Sequence, residues 1–162
     1  MRWATRNVDT PGTFVTAPQH SGRHYQWNRG TVTWTVTWNS GGVATWLSEN
    51  DPCPTGWRVP TDTELRSLGT GTWTNNWNGS RGRFFGSAPN QIFLPAAGGG
   101  AVWAGGWPAG SIRNIGTWGI YWSSISSRRY SFNSYALDFT YQGGQIRIAC
   151  QSVGSSVRCV AE

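Results

Sequence analysis

The chain contains no lysine, and all 13 of its basic residues are arginine. Schiff-base catalysis, a lysine general base and a P-loop phosphate site are therefore excluded, because each of them needs a lysine amine. Charged residues of either sign are scarce, at 12% of the chain. Acid–base or nucleophilic catalysis would have to use seven carboxylates, two histidines or three cysteines.

Long apolar segments are also absent. No stretch approaches the roughly 20 apolar residues of a membrane-spanning helix, and the opening MRWATRNVDTPGTF lacks the apolar centre of a signal peptide. We therefore expect no membrane span. Two locations stay open: the cell surface or extracellular space, if an export signal was removed with a precursor, or a particle assembled inside a cell and released by lysis.

What the chain has in abundance is tryptophan and glycine, with 12 Trp and 22 Gly in 162 residues. The aromatic content is too high for a disordered chain, and the glycines indicate many turns. A chain of this length buries about two-thirds of the surface that its unfolded form exposes. We predict a single domain over residues 1–162, in which most tryptophans fill the core.

The net charge of +6 favours an anionic partner, because arginine pairs well with phosphates, sulfates and carboxylates. The arginines are nevertheless spread singly, apart from Arg128-Arg129 and Arg81-Gly82-Arg83. Nucleic-acid-binding proteins concentrate their basic residues in one stripe or helix. Nucleic acid therefore ranks below a protein or a glycan as the expected partner.

Several local patterns predict secondary structure. In VPTDTELRSLG, Thr61 is a candidate N-cap, Glu64 completes a capping box, and Gly69 ends a helix of about two turns. ATWLSEND predicts a second short helix. The alternation in TVTWTVTW predicts a half-buried strand over residues 31–38, and the glycine-rich LPAAGGGAVWAGGWPAG predicts a long loop without regular structure.

The segment YALDFTYQGGQIRIACQ predicts a β-hairpin with Gly143-Gly144 as its turn, so that Thr140 faces Arg147 and Asp138 faces Ala149. Side chains on alternate positions then sort onto two faces. The face predicted to lie in the core carries Leu137, Phe139, Tyr141, Ile146, Ile148 and Cys150. The face predicted to meet solvent carries Ala136, Asp138, Thr140, Arg147 and Ala149.

Seven segments occur in order along the chain: WATRNVDTPGTF, YQWNRG, DPCPTGWRVPTDTEL, LPAAG, GIYWSS, YALDF and SVRCV. Together they resemble the Fibrobacter succinogenes major paralogous domain, a family within the broader C-type lectin-like group. The resemblance covers nearly the whole chain, and DPCPTGWRVPT and SVRCV are specific signatures. It implies an α+β, C-type lectin-like fold with mostly short antiparallel strands, long loops and one or two short helices.

The family occurs on secreted and surface proteins of gut and rumen bacteria and in phage proteins. Some members resemble targets of diversity-generating retroelements, which randomise chosen codons near the C-terminus. The resemblance therefore implies a variable ligand-binding region at about 120–155. Positions there that such randomised codons can encode are Arg128, Arg129, Tyr130, Phe132, Asn133, Ala136, Asp138, Tyr141, Arg147 and Ala149.

The resemblance also implies that Cys53 and Cys159 form a disulfide or a close contact, since each lies in a signature. Closing a loop of that length would stabilise the fold by about 4 kcal/mol. The alternative is a pair of reduced, buried cysteines, which applies if the protein matures in a cytoplasm. Cys150, on the predicted core face of the hairpin, is expected to be a small core residue.

No metal or cofactor is expected. His20 and His24 are four residues apart, but Pro18 and Gly22 argue against a helix, so both are interpreted as surface-loop residues. No CxxC pair suggests zinc. The chain also lacks the Glu-Pro-Asn or Gln-Pro-Asp and Trp-Asn-Asp signatures through which C-type lectins bind sugar with calcium.

These observations predict a non-enzymatic recognition module, of adhesin or receptor-binding type, for a protein or glycan on another cell. Tyr and Arg are the residues most enriched in binding hot spots, and Ser and Asn are adaptable neighbours. The candidate ligand-binding residues are Arg128, Arg129, Tyr130, Phe132, Asn133, Tyr135, Ala136, Asp138, Tyr141, Arg147, Ala149, Trp103 and Trp107.

Two alternatives stay open. One is a polysaccharide-acting enzyme that uses Asp138, although Asp62 and Glu64 are explained by the first turn of the predicted helix. The other is a subunit-contact domain of a surface appendage or phage fibre, in which the same aromatic surface meets another subunit.

Overall fold

A computed structural model of the chain describes residues 1–35, 37–100 and 110–162. In these ranges the fold consists of small antiparallel sheets and one short α-helix. The helix α1 spans Asp62–Arg66, and a 3₁₀ helix spans Ser48–Asn50. The strands are β1 (Trp57–Arg58), β2 (Thr72–Trp77), β3 (Ser80–Phe85), β4 (Ile92–Pro95), β5 (Gly99–Gly100), β6 (Ile112–Arg113), β7 (Gly119–Ser126), β8 (Asn133–Thr140), β9 (Gly143–Cys150) and β10 (Val160–Ala161).

The strands pair in four sheets of two or three strands in the described part of the chain. The larger two have the orders β2-β3-β4 and β7-β8-β9, and the smaller two pair β1 with β10 and β5 with β6. This strand-rich arrangement with one short α-helix agrees with the predicted abundance of short antiparallel strands. No helix among the described residues is long and apolar enough to cross a membrane.

The β7-β8-β9 sheet lies between two hydrophobic clusters. Along β8, Ala136 belongs to a first core around Trp27 and Trp122, whereas Leu137 and Phe139 belong to a second core that α1 also joins. The alternation follows from the pleat, which sends successive side chains to opposite faces. Both faces of β8 are therefore covered, and the prediction that Ala136 meets solvent is wrong, since Ala136 is fully buried.

Helix α1 matches its prediction. The Thr61 hydroxyl accepts the backbone N–H of Glu64, and the Glu64 carboxylate accepts the backbone N–H of Thr61, so both halves of the capping box are formed. Leu65 and Leu68 are buried in the second core, and Gly69 has a φ of 73° just past the helix. The predicted helix in ATWLSEND is the 3₁₀ helix Ser48–Asn50.

The hairpin forms, but in another register. The turn is Tyr141-Gln142, and Gly143 and Gly144 lie inside β9 opposite Thr140 and Phe139, neither of them with a positive φ. The pairing has moved by an even number of residues, so the side chains that remain in the strands keep their predicted faces. The prediction of Tyr141 in the core is wrong, because Tyr141 now lies in the turn with 67% of its surface exposed. Ile148, also predicted in the core, is 40% exposed on the edge strand β9.

The described residues of the TVTWTVTW segment form no strand, although the threonines are exposed and Val32, Trp34 and Trp38 are half-buried, as alternation predicts. Trp34 donates from Nε1 to the carbonyl of His24 at 3.0 Å, and Trp38 donates to the carbonyl of Trp27 at 2.8 Å. The two indoles are thus anchored on neighbouring backbone rather than by a sheet ladder. Val36 lies outside the described residues.

A disulfide ties the C-terminal segment to the segment just before β1. Cys53 and Cys159 are joined, as the resemblance implies, with a sequence separation of 106. Beside it, Arg158 is fully buried and donates to the side chain of Asn7 and to the carbonyls of Ala4 and Phe93. Burial lowers the pKa of Arg158 to about 10.

Two further predictions need correction. His24 is not a surface residue, because it is 7% exposed and its Nε2 lies 3.0 Å and 3.1 Å from the carbonyl oxygens of Ala97 and Gly98. Burial lowers the pKa of its imidazole. The glycine-rich segment contains a regular element, since Gly99 and Gly100 form β5 and pair with β6. Its residues 101–109, including Trp103 and Trp107, lie outside the described residues.

Candidate binding surface

The sheet β7-β8-β9 presents a loop at one end, residues 127–132, between β7 and β8. The first turn of this loop is held by Ser127, whose hydroxyl accepts the backbone N–H groups of Arg129 and Tyr130, both at 3.3 Å. A serine hydroxyl that accepts nearby backbone N–H groups in this way shapes a local turn. The backbone N–H of Ser127 also donates to the carbonyl of Asn133 at 2.8 Å, which closes the loop at its base.

The far side of loop 127–132 is fixed by the segment after β9. The backbone N–H of Gln151 donates to the carbonyl of Phe132 at 2.8 Å, and Phe132 has a φ of 67°. The amide of Gln151 donates to Ser134 and accepts from the backbone of Ser40. Because backbone and buried side chain both hold it, the loop presents its side chains from a defined frame.

A cleft of about 340 Å³ lies between loop 127–132 and the segment at residues 42–44. Ser126 ties the two walls together, since its backbone N–H and its hydroxyl both donate to the carbonyl of Ala44, at 3.0 Å and 3.1 Å. Among the residues that line the cleft, Arg128, Tyr130, Phe132 and Asn133 are predicted ligand-binding residues. Val43 and Gln151 line it as well.

The aromatic rings of the loop are unusually open to solvent. Tyr130 is 47% exposed and Phe132 is 55% exposed. The guanidinium carbon of Arg129 lies 5.3 Å from the centre of the Tyr130 ring, close enough for a cation–π contact. The loop therefore offers apolar rings and positive charge side by side.

The arginines of the loop form no salt bridge with any described residue. In the ranges that the structure describes, the salt bridges join Arg23 to Asp9, Arg58 to Glu64 and Arg66 to Asp62. Arg128 and Arg129 are exposed and take part in none of them. Their positive charge is not neutralised within the fold, so it is free to pair with a ligand.

Strand β9 extends this surface along the edge of the sheet. Arg147 is exposed opposite the buried Ala136, and Ala149 is half-buried against the first core. With the Gln145 amide turned to satisfy its hydrogen bonds, its oxygen accepts from the Arg147 guanidinium at 2.7 Å and 3.1 Å. Arg147 is thus held along the strand, and it carries a third unneutralised charge on this side.

The structure does not bring all the predicted site residues together. Tyr135 lies on the second-core face of β8, away from Arg147. Asp138 is half-buried, and its carboxylate accepts the Nε1–H of Trp118 at 3.0 Å. Tyr141 is in the turn at the opposite end of β8, and the eight residues of β8 that separate it from the loop span about 23 Å at the rise of an extended strand.

Comparisons with protein-family models, with curated proteins and with solved structures found no match for this chain. Within residues 1–35, 37–100 and 110–162, no three His, Cys, Asp or Glu side chains are grouped so that they could hold a metal ion.

Asp51 lines another cleft, beside the disulfide, and its role is structural. Its two oxygens accept the backbone N–H groups of Cys53 at 2.8 Å and Val59 at 3.0 Å, which folds the DPCPTGWRV segment around the disulfide. Burial raises the pKa of this carboxyl group, and the hydrogen bonds from the backbone oppose that shift.

The sequence did not point to Ser127, Val43 or Gln151, which hold loop 127–132 in place or line the cleft beside it. The role of Ser127 could have been predicted, because a serine hydroxyl can accept the backbone N–H groups two and three residues later and so form a turn. No such pattern indicated Val43 or Gln151. They reach loop 127–132 only through contacts across the fold, which no local pattern encodes.

Proposed function

We propose that this chain is a non-enzymatic recognition module with a C-type lectin-like fold, and that loop 127–132 binds an acidic protein surface on another cell. The observation that carries the proposal is the pairing of two unneutralised arginines with two exposed aromatic rings on one anchored loop. Arg and Tyr are the residue types that most often dominate binding energy.

The anchoring of the loop supports a binding role. Hydrogen bonds from Ser127, Asn133 and Gln151 hold its backbone before any ligand arrives. A loop that is already ordered loses less conformational entropy on binding, so more of its contact energy appears as affinity. The cleft beside it gives an acidic or aromatic side chain of a partner a place to enter.

The charge of the surface favours a protein over nucleic acid. Arg128, Arg129 and Arg147 are three charges near two rings, whereas binding along a phosphate backbone uses a longer track of basic groups. Carboxylates on a protein can meet each guanidinium in two parallel hydrogen bonds. Asp and Glu beside apolar residues on the partner would therefore complement this loop.

A displayed library of random peptides and an array of neutral and sulfated glycans supply ligands for the test. We expect selection of peptides rich in Asp and Glu, and binding at least about tenfold weaker for Arg128→Ala/Arg129→Ala/Tyr130→Ala. The matched control is Arg23→Ala/Arg66→Ala, which removes the same number of charges from exposed arginines elsewhere and should bind normally.

Retained peptide binding by the triple variant would overturn the assignment of the loop. Binding to sulfated glycans in place of acidic peptides would contradict the partner class. Self-association in sedimentation experiments, lost in the triple variant, would favour a subunit-contact domain. Hydrolysis of a glycan that disappears with Asp138→Asn would favour an enzyme.

We also propose that the exposed positions of this surface are diversified by a retroelement. Arg128, Arg129, Tyr130, Phe132 and Arg147 are exposed and encodable by randomised codons, so changes there would alter ligand contacts and not the core. The fully buried Ala136 does not suit such variation. The test is genomic: an adenine-rich near-copy of the codons for Tyr121 to Val160 beside a reverse transcriptase gene.

A further inference from the structure

A second cleft lies at the other end of the β7-β8-β9 sheet, and it does not share residues with the first. It measures about 460 Å³, within the usual range for small-ligand sites. Its lining residues are Asn114, Thr117, Trp118, Thr140, Tyr141 and Gln142. We call it the Trp118–Tyr141 cleft.

One wall of the Trp118–Tyr141 cleft is the hairpin turn after β8. Arg83, only 6% exposed, donates through its guanidinium to the carbonyls of Thr140 at 2.8 Å and Tyr141 at 3.4 Å. It also donates to the carbonyls of Thr70 and Gly71. Buried Arg83 thus joins the turn to the β2-β3-β4 sheet by hydrogen bonds, and these bonds hold the backbone of Tyr141 in place.

The other wall is a tight turn before β7. The backbone N–H groups of Thr117 and Trp118 and the hydroxyl of Thr117 all donate to the carbonyl of Asn114 at 3.1 Å, and Asn114 has a φ of 59°. The Trp118 ring is held by its Nε1–H bond to Asp138 and by close packing on Gly99, where a Cβ would lie 2.5 Å from the ring. Both walls are therefore rigid.

The chemistry of the lining is specific. It combines two aromatic rings, two amide side chains and three hydroxyl groups, one of them on Tyr141, and none of the described residues that line it is charged. Tyr141 is 67% exposed, the most exposed aromatic side chain in the described ranges. The amide of Gln142 donates to the Tyr141 hydroxyl at 3.3 Å, so polar groups surround the ring without covering it.

We propose that the Trp118–Tyr141 cleft binds a neutral saccharide. The C–H face of a pyranose ring packs against an aromatic side chain, and its hydroxyl groups need partners that both donate and accept hydrogen bonds, as amides and hydroxyls do. The lining contains no cationic side chain that could pair with an anionic ligand. The inference does not rest on the proposed function, because it uses other residues at the opposite end of the sheet.

The test uses the full chain and an array of neutral cello-, manno- and malto-oligosaccharides, with oligogalacturonides as anionic comparison, followed by calorimetry on any neutral ligand found. Tyr141→Ala should weaken binding by about tenfold or more, because it removes the stacking surface. Tyr141→Phe keeps the ring and should bind within a few-fold of the parent. Tyr130→Ala removes a comparable exposed tyrosine at the other end and should leave saccharide binding unchanged.

Tyr141 is solvent-exposed and its backbone is clamped by Arg83, so these variants should fold, which thermal unfolding checks. Absence of binding to every neutral oligosaccharide at millimolar concentration would overturn the proposal. Preference for oligogalacturonides, or saccharide binding that survives Tyr141→Ala and is lost in Tyr130→Ala, would overturn it as well. Peptide binding by Arg128→Ala/Arg129→Ala/Tyr130→Ala tests only the proposal for loop 127–132. Saccharide binding by Tyr141→Ala tests only the proposal for the Trp118–Tyr141 cleft, so either can fail without the other.

Discussion

Glu64 accepts two hydrogen bonds from the guanidinium of Arg58, at 2.8 Å and 2.7 Å, while it also accepts the backbone N–H of Thr61 at 2.8 Å. One carboxylate therefore caps α1 and ties it to β1. The hydrogen bonds from Arg58, with smaller help from Thr61, lower the pKa of Glu64 to about 2.

The stability of the fold should depend on the ionisation of Glu64. Its carboxyl is more acidic in the folded chain, so its contribution is fully present above the unfolded pKa of about 4.3 and is lost as pH falls toward 2. Glu64→Gln should cost about 1 kcal/mol at neutral pH, because the pair is partly exposed, and should flatten this acid-dependent loss. Urea unfolding between pH 6 and pH 2 measures both effects.

Asp62→Asn is the control for Glu64→Gln. Asp62 contacts Arg66 at 3.6 Å with both side chains partly in solvent, so its removal should change stability less. An equal acid-dependent loss in the parent chain and in Glu64→Gln would contradict the role of Glu64.

The disulfide should be a major source of stability. It joins residues separated by 106 positions, and a loop of that length confines the unfolded chain strongly, by about 4 kcal/mol. Cys53→Ala/Cys159→Ala should therefore lower the free energy of unfolding by about that amount. Cys150→Ala is the control, since Cys150 forms no disulfide. An unchanged melting temperature after complete reduction, verified by mass spectrometry, would contradict this expectation.

Trp34 and Gly154 should be energetically coupled. A Cβ at Gly154 would overlap the indole of Trp34, and the same is true at Gly100, which pairs with Gly154. Gly154→Ala should cost about 2 kcal/mol by overpacking. The cost should shrink in the Trp34→Ala background, because the space is then free, and a double-mutant cycle measures the difference.

Gly143→Ala is the matched control for Gly154→Ala. A Cβ there would meet nothing within 4 Å, so the change should stay within about 0.5 kcal/mol. Additive costs for Trp34→Ala and Gly154→Ala would show that the indole does not pack on this glycine.

The register of the β8-β9 hairpin can be tested by crosslinking. Asp138 is opposite Gln145, whereas a turn at Gly143-Gly144 would place it opposite Ala149. In a Cys150→Ser background, Asp138→Cys/Gln145→Cys should form a second disulfide, because cross-strand partners lie within bonding distance. Asp138→Cys/Ala149→Cys should not. Mass spectrometry after mild oxidation reads both results, and the reverse pattern would support the glycine turn.

Features that depend only on neighbouring residues along the chain could be predicted from the sequence. The capping box of α1 needs only Thr61 and Glu64 at the right spacing, and it is formed as predicted. The sorting of hairpin side chains onto two faces also held, because alternation has a period of two and an even shift in pairing leaves it unchanged. The pairing of Cys53 with Cys159 was indicated by sequence signatures rather than by spacing.

The contacts beside each helix and strand depend on long-range packing and could not be predicted from local patterns. The ring of Phe139 occupies the space where a Cβ at Gly119 would lie. A Cβ at Gly144 would lie 3.1 Å from the Cβ of Phe139. Gly143 and Gly144 therefore lie in β9 beside Phe139, and Tyr141-Gln142 forms the turn in their place. For the same reason Ala136 is buried and His24 is enclosed: long-range packing places them, and a local pattern contains no information about it.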